Sequence, residues 1–84
     1  MFTVYTLYSP SYNKIYIGYT SDIKERMISH NEKETKGWTV KYRPWEIVFT
    51  EKYGTKKEAM KRERQLKTSR GREYVWKKVH EKWG

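Results

Sequence analysis

The 84-residue chain has no cysteine and only two prolines. Without thiols it can build neither a disulfide framework nor a thiolate metal site, and a reducing cytosol suits that composition. No apolar run comes near the roughly 20 residues that a membrane-spanning helix needs. The first residues, Met1-Phe2-Thr3-Val4-Tyr5, lack the charged and then apolar succession of a signal peptide. Acidic side chains are scarce: ten Asp and Glu stand against nineteen Lys and Arg, for a net charge of +9. These absences lead us to expect an intracellular, cytoplasmic protein with no membrane partner. The length suggests one domain spanning residues 1–84.

What the chain does have is aromatic rings and positive charge. Tyr, Trp and Phe make up 17% of the residues, and large rings bury much area each, which helps so small a domain assemble a core. The charge is uneven. Thr55 to Gly84 carries eleven Lys and Arg against four Glu, leaving +7, whereas Met1 to Gly54 carries only +2. A polyanion such as nucleic acid is the partner that this half fits, and a solvated helical surface is the plainer alternative.

Two runs rich in β-branched and aromatic residues, Phe2 to Tyr8 and Lys14 to Thr20, read as strands joined by the turn residues Ser9-Pro10-Ser11-Tyr12-Asn13. Thr20-Ser21-Asp22 supplies capping chemistry for a helix to about His30. Asn31 to Arg43 reads as a polar loop holding Trp38 and Tyr42, and a third strand is predicted from Trp45 to Thr50, with Trp45, Ile47 and Phe49 on one face. Thr55-Lys56-Lys57-Glu58 is a capping box for a helix to about Thr68. Gly71 is expected to break the chain before a last helix carrying Val75, Trp76, Val79 and Trp83. The order ββαβαα gives an α+β fold: a three-stranded antiparallel sheet flanked by helices.

Some residues ask for more than packing. Glu63 falls in the inward stripe of its helix with Ala59 and Leu66, where a carboxylate is costly unless paired or bound to a metal. It either snorkels outward to solvent, pairs with neighbouring Arg62 or Arg64, or has a chemical task. Asp22, Arg26 and His30 follow at i, i+4, i+8 on one side of the first helix, which is either a solvated stripe or an arm reaching back across the sheet edge. Tyr5 and Tyr16 lie on adjoining strands, so their hydroxyls can converge, and Gly18 leaves room for a close approach to the backbone.

Taken together these residues resemble the GIY-YIG nuclease family. Tyr16-Ile17-Gly18 matches the second half of its signature. Thr3-Val4-Tyr5 occupies the first half, with the tyrosine kept and Thr and Val in place of Gly and Ile. The steps from Tyr5 to Tyr16 and on to Arg26 fit the family, as do His30-Asn31, Pro44-Trp45-Glu46-Ile47-Val48 and Glu58-Ala59-Met60-Lys61-Arg62-Glu63. The resemblance covers nearly the whole chain.

It implies a metal-dependent endonuclease acting on DNA, branched or nicked DNA included, in repair, recombination or mobile-element processing. It implies a divalent cofactor, Mg2+ or Mn2+, held by Glu63 as sole protein ligand, which suits a cation that keeps most of its waters. Arg26 would neutralise phosphoryl charge, Tyr5 would position or deprotonate the attacking water if nearby cations lower its pKa, Tyr16 would support it, and His30 is a second candidate for the proton. Lys67, Arg70 and Arg72 are the expected nucleic-acid contacts. The chain departs from the family where several members carry an asparagine after the metal-binding helix; Lys67 or Ser69 is the candidate replacement. A noncatalytic nucleic-acid-binding module on the same scaffold is the main alternative, and a basic protein binding RNA through exposed aromatics is another. Glu63→Gln is expected to leave stability unchanged or slightly raised and to abolish cleavage.

Overall fold

In the computed structural model, which describes all 84 residues, the two β-rich runs form β1 (Phe2–Ser9) and β2 (Lys14–Thr20). The turn between them closes because the Ser9 carbonyl accepts the N–H groups of both Tyr12 and Asn13, while Asn13 takes a left-handed φ of 55°, which asparagine tolerates well. β3 (Glu46–Tyr53) pairs antiparallel with the other edge of β1, giving the order β2-β1-β3. The central strand is buried from Thr3 to Ser9, so both sheet faces are covered. Strand alternation assigns Val4, Thr6 and Tyr8 to one face and Thr3, Tyr5 and Leu7 to the other.

β3 departs from the predicted alternation. Leu7 is opposite Ile47 and Thr6 opposite Phe49, so Val48 is an extra residue in the ladder, a β-bulge. Ile47 therefore packs beneath Leu7 and Trp45, while Val48 and Phe49 both pack on the opposite face. The strand also begins one residue later and ends three later than Trp45 to Thr50.

Asp22 caps α1 (Ile23–Ile28), its side chain accepting the Glu25 N–H at 3.1 Å. The helix stops short of His30. A π-helical turn, Ser29–Lys33, takes over, and the supposed loop also contains a short helix, α2 (Trp38–Lys41). Arg43 stabilises this stretch by donating to the carbonyls of Ser29, His30 and Glu34, which a helix end otherwise leaves without partners. The order ββαβαα thus holds for the main elements, with α2 added before β3.

α3 (Lys56–Leu66) opens as its capping box predicts: the Thr55 hydroxyl accepts the Glu58 N–H at 3.2 Å and donates to the Glu58 carboxylate. α4 (Ser69–Trp83) starts earlier than expected, capped by Thr68, whose hydroxyl accepts the N–H of Gly71. Gly71 is therefore inside the helix, not a breaker. It is required there for closeness: a Cβ on Gly71 would lie 2.2 Å from the Gln65 carbonyl oxygen and 2.4 Å from the Leu66 Cα. The first turn of α4 thus presses against the last turn of α3. Both helices cover one sheet face, with Ala59, Leu66, Val75 and Val79 packed on Val4, Tyr8, Ile15 and Ile17. A forked ion pair, Arg62 to Glu51 at 2.8 and 3.2 Å, ties α3 to β3.

Candidate active site

The other face holds the polar residues singled out above. Tyr5 is opposite Gly18 and Leu7 opposite Tyr16, so the two tyrosines are diagonal neighbours on one face. Their rings lie 6.2 Å apart and 29° from parallel. Gly18 is what lets Tyr5 lie flat: a Cβ there would sit 2.7 Å from the Tyr5 hydroxyl and 2.9 Å from its ring carbon Cζ. The close approach foreseen at this glycine is made by the chain's own phenol.

That phenol is fully buried, and two side chains meet it. Arg26, from the last turn of α1, donates its Nε–H to the hydroxyl at 3.3 Å. His30, placed by the π-helical turn, presents Nε2 at 2.9 Å. The wider turn carries His30 inward, leaving it 1% exposed, packed 5.0 Å from the Tyr16 ring. Its other nitrogen, Nδ1, faces a Glu34 carboxylate oxygen 3.1 Å away; both atoms are shut off from water, and the contact is too poorly aligned to be a hydrogen bond, so neither has a hydrogen-bond partner. A proton on Nδ1 facing that carboxylate leaves Nε2 as an acceptor, so the Tyr5 O–H donates to His30. The result is a directed hydrogen-bonded chain from Arg26 through Tyr5 to His30, with the Glu34 carboxylate facing the far side of the imidazole.

The electrostatics follow from burial. Desolvation pushes the Tyr5 phenol up to about 12, against the opposing pull of Arg26's hydrogen bond. The condition under which Tyr5 could act as a base, a pKa lowered by nearby cations, is thus not met by Arg26 alone: its pull is outweighed by burial. Burial holds His30 below the usual imidazole value, and the charges of Arg26 and Arg43 add to that, against the influence of Glu34. Arg26 is held in its charged form chiefly by its bond to Tyr5.

Glu63 sits on α3, which packs across the sheet from α1, so it is not in the hydrogen-bonded chain. Its side chain is 18% exposed, and its ion pair is with Lys67 at 3.5 Å, not with Arg62 or Arg64. Arg62 is engaged by Glu51 instead. Lys67 links the two regions, because it lines a shallow cavity at the β2 edge together with Tyr16, Trp38 and Arg72. Arg70 is elsewhere, in a depression with Arg62, Gln65 and Tyr74, and Ser69 is exposed at the start of α4.

The donor set bears on metal identity. No three His, Asp or Glu side chains converge, so no all-protein cage exists. A single half-buried carboxylate beside a loosely held lysine fits a hard divalent ion that keeps its waters and takes further oxygens from a phosphate.

The sequence reading missed Glu34, Arg43 and Trp38. Glu34 follows His30 at i+4, a spacing that could have flagged it, whereas Arg43 acts through carbonyls whose positions no local pattern reveals. Asn31 is also structural: its amide exchanges hydrogen bonds with the Trp45 backbone at 2.7 and 3.1 Å.

A family model described as the GIY-YIG catalytic domain matches residues 1–78. Among similar proteins are a UPF0213 protein of Staphylococcus epidermidis, 44% identical over 54 residues, and the UPF0213 protein YazA of Bacillus subtilis, 41% identical over 51 residues. The first match covers 64% of this chain and 66% of the relative, the second 61% and 52%. The aligned part thus spans between about half and just under two thirds of the length of these relatives.

Proposed function

Because the chain belongs to the GIY-YIG catalytic-domain family, we propose that it is a divalent-metal-dependent endonuclease hydrolysing DNA phosphodiester bonds. The observation that carries the reading is the chain Arg26–Tyr5–His30, in which a buried hydroxyl lies between a cation and a neutral imidazole. With its phenol near 12, Tyr5 does not begin as the base. It orients the attacking water and passes the proton on: the water proton moves to Tyr5 Oη as the Tyr5 proton moves to His30 Nε2. The imidazolium so formed faces the Glu34 carboxylate, which stabilises it as a buried orienting carboxylate does in other nucleophile–histidine systems. Arg26 faces the charge that accumulates on the phosphoryl oxygens, where a guanidinium is geometrically suited.

Glu63 is the residue we assign to hold Mg2+ or Mn2+, with Lys67 displaced from its carboxylate. A divalent ion there would supply Lewis-acid stabilisation of the leaving oxygen. The basic α3–α4 half supplies sequence-independent phosphate contacts, with Lys67 and Arg72 nearest the site. A role in repair, recombination or mobile-element processing, within the cytoplasm, is the setting that this chemistry fits.

The test is nicking of supercoiled plasmid with and without Mg2+, by the unmodified protein and by Tyr5→Phe. Cleavage should need the ion and fall at least about 100-fold in the variant, the usual scale for loss of a positioned proton-transfer group. Metal-independent cleavage, or equal rates for both proteins, would refute the assignment.

A further inference from the structure

Trp38 stands out against Trp45. The two rings lie 5.7 Å apart, yet Trp45 is 2% exposed and Trp38 is 45% exposed. Trp45 is held by its indole N–H, which donates to the Thr39 carbonyl at 2.8 Å. Trp38 has no such bond, but it is braced from behind by Tyr42 at 4.8 Å and lies 28° from parallel to Tyr16 at 6.4 Å. A half-exposed ring lying against three other aromatic rings makes an aromatic patch, and such a patch is more informative than a lone exposed apolar side chain. Trp38 forms one wall of a cavity of about 330 Å³, whose other lining residues are Ile15, Tyr16, Ile17, Lys67 and Arg72.

Aromatic and aliphatic walls with two cations, and no carboxylate in the lining, suit a flat apolar group carrying negative charge. We propose that this cavity holds one unpaired nucleotide of a DNA strand, its base stacked on Trp38 and its phosphates on Lys67 and Arg72. The proposal rests on the endonuclease reading and adds the substrate class: DNA with a single-stranded segment at the cut. A paired base is stacked within its duplex and cannot reach the ring, whereas an unpaired base presents a free π-face whatever its identity. The position is right for such a role, since Tyr16 belongs both to the cavity and to the tyrosine pair next to Arg26 and His30. Phosphate contact by Lys67 would also release the Glu63 carboxylate, its partner at 3.5 Å. An occupied cavity and a free metal ligand would then come together.

The test is equilibrium binding, in EDTA, of a fluorescent oligothymidine strand and of a hairpin duplex of equal length. Trp38→Leu keeps apolar bulk against Tyr42 and Trp45 but cannot stack. It should weaken strand binding by about 5- to 100-fold, the loss that removing one stacked ring produces, and leave duplex binding within about twofold. Trp38→Phe should restore most of the affinity. Equal weakening of strand and duplex, or no weakening of either, would overturn the proposal, as would an RNA strand bound more tightly than its DNA counterpart. In case Trp38→Leu does not fold, ultraviolet cross-linking of the unmutated protein to a 5-bromodeoxyuridine strand gives a second measurement. Adducts on Trp38 or Tyr16 support the site, and adducts confined to α4 overturn it. Since EDTA excludes metal-dependent turnover, a protein that fails to nick plasmid but shows the Trp38 pattern would sink only the endonuclease reading.

Discussion

The two faces of the sheet are made from different materials. Beneath α3 and α4 lies an apolar core in which Val4, Ala59, Leu66, Val75 and Val79 are almost completely buried, with Tyr8 among them and rings such as Phe2, Trp76 and Trp83 packed around it. Beneath α1 the buried cluster is Tyr5, Leu7 and Trp45, with His30 enclosed beside it, and α1 itself buries no residue. Ile23, Met27, Ile28 and Ile47 surround a shallow apolar hollow on that side. The irregular features gather there too: a π-helical turn, the four-residue α2 and a sealed imidazole–carboxylate contact. One face stabilises the domain by close packing, and the other spends part of that stability on holding polar groups out of water in fixed positions. Mutations should therefore divide by face, into those felt in the melting temperature and those felt in turnover.

The largest expected effect on stability is on the packed face. Leu66→Ala removes a fully buried side chain where α3 meets α4, and should cost about 2–5 kcal/mol. For a domain of this size each kcal/mol lowers the melting point by roughly 4–8 °C. A loss below about 1 kcal/mol would mean that the contrast between the faces is false, because such a site would then relax freely.

Next in size is Gly18→Ala, opposite Tyr5 on the polar face. The new methyl meets the Tyr5 hydroxyl and ring, so the phenol must shift away from Arg26 and His30. Overpacking of this kind costs about 1–3 kcal/mol. Misplacing a reactive group by about 1 Å can lower turnover about 100-fold, so the nicking rate should fall far more than the melting point suggests. Unchanged nicking would show that Tyr5's position does not matter.

The pH dependence of stability should separate the faces more gently. His30 is held below its ordinary value of 6.5, by burial first and by Arg26 and Arg43 next, with Glu34 opposing and the Tyr5 hydroxyl and Tyr16 ring nearby. A depressed histidine binds its proton less readily folded than unfolded, so stability present above pH 6.5 is lost as the pH falls through the folded value. Glu51, lowered chiefly by Arg62's hydrogen bond, behaves alike in a more acid window, below its ordinary 4.5. Thermal melts from pH 8 to 3 should show two successive declines. His30→Gln should flatten the first and leave the second; a variant that keeps both would show that His30 is not the group responsible.

How far the sequence carried can be judged from particular residues. The hairpin, the Thr55 capping box and the inward Val75 and Val79 are local patterns, and they were legible because strand alternation, capping and helical period are local physics. Tyr5, Tyr16, Arg26 and His30 were legible as a set only through family spacing. Their contact depends on Gly18 and on the π-helical turn, and neither can be computed from nearest neighbours. The bulge at Val48 arises from pairing with β1, a strand some forty residues away in sequence. Gly71 misled because its need for closeness comes from the end of α3, which looks in sequence just like a need for flexibility. Glu63 stood out correctly as an unusual carboxylate in an apolar stripe, but its partner was not foreseen. The ion pair goes to Lys67, one turn on.

That partner changes the smallest and most discriminating expectation. An unpaired Glu63 would make Glu63→Gln neutral or slightly stabilising. With Lys67 at 3.5 Å and 52% exposed, the substitution instead removes an i, i+4 pair of the kind worth about 0.3–0.5 kcal/mol, a loss offset in part by the lower cost of burying an amide. The melting point should therefore fall by no more than a few degrees. Glu51→Gln is the matched control, a β3 carboxylate paired to the same helix, since Glu51 accepts two bonds from Arg62 and one from Tyr53. Breaking that forked pair should cost about 1.5–3 kcal/mol, the scale of hydrogen bonds to a charged group, and should leave plasmid nicking intact in the cold. Glu63→Gln should do the reverse, abolishing Mg2+-dependent nicking because an amide oxygen is a poor ligand for a hard cation, while DNA binding in EDTA persists through the basic surface. If Glu63→Gln nicked normally, or melted as early as Glu51→Gln, then Glu63 would be a structural carboxylate and the metal would have to be sought elsewhere.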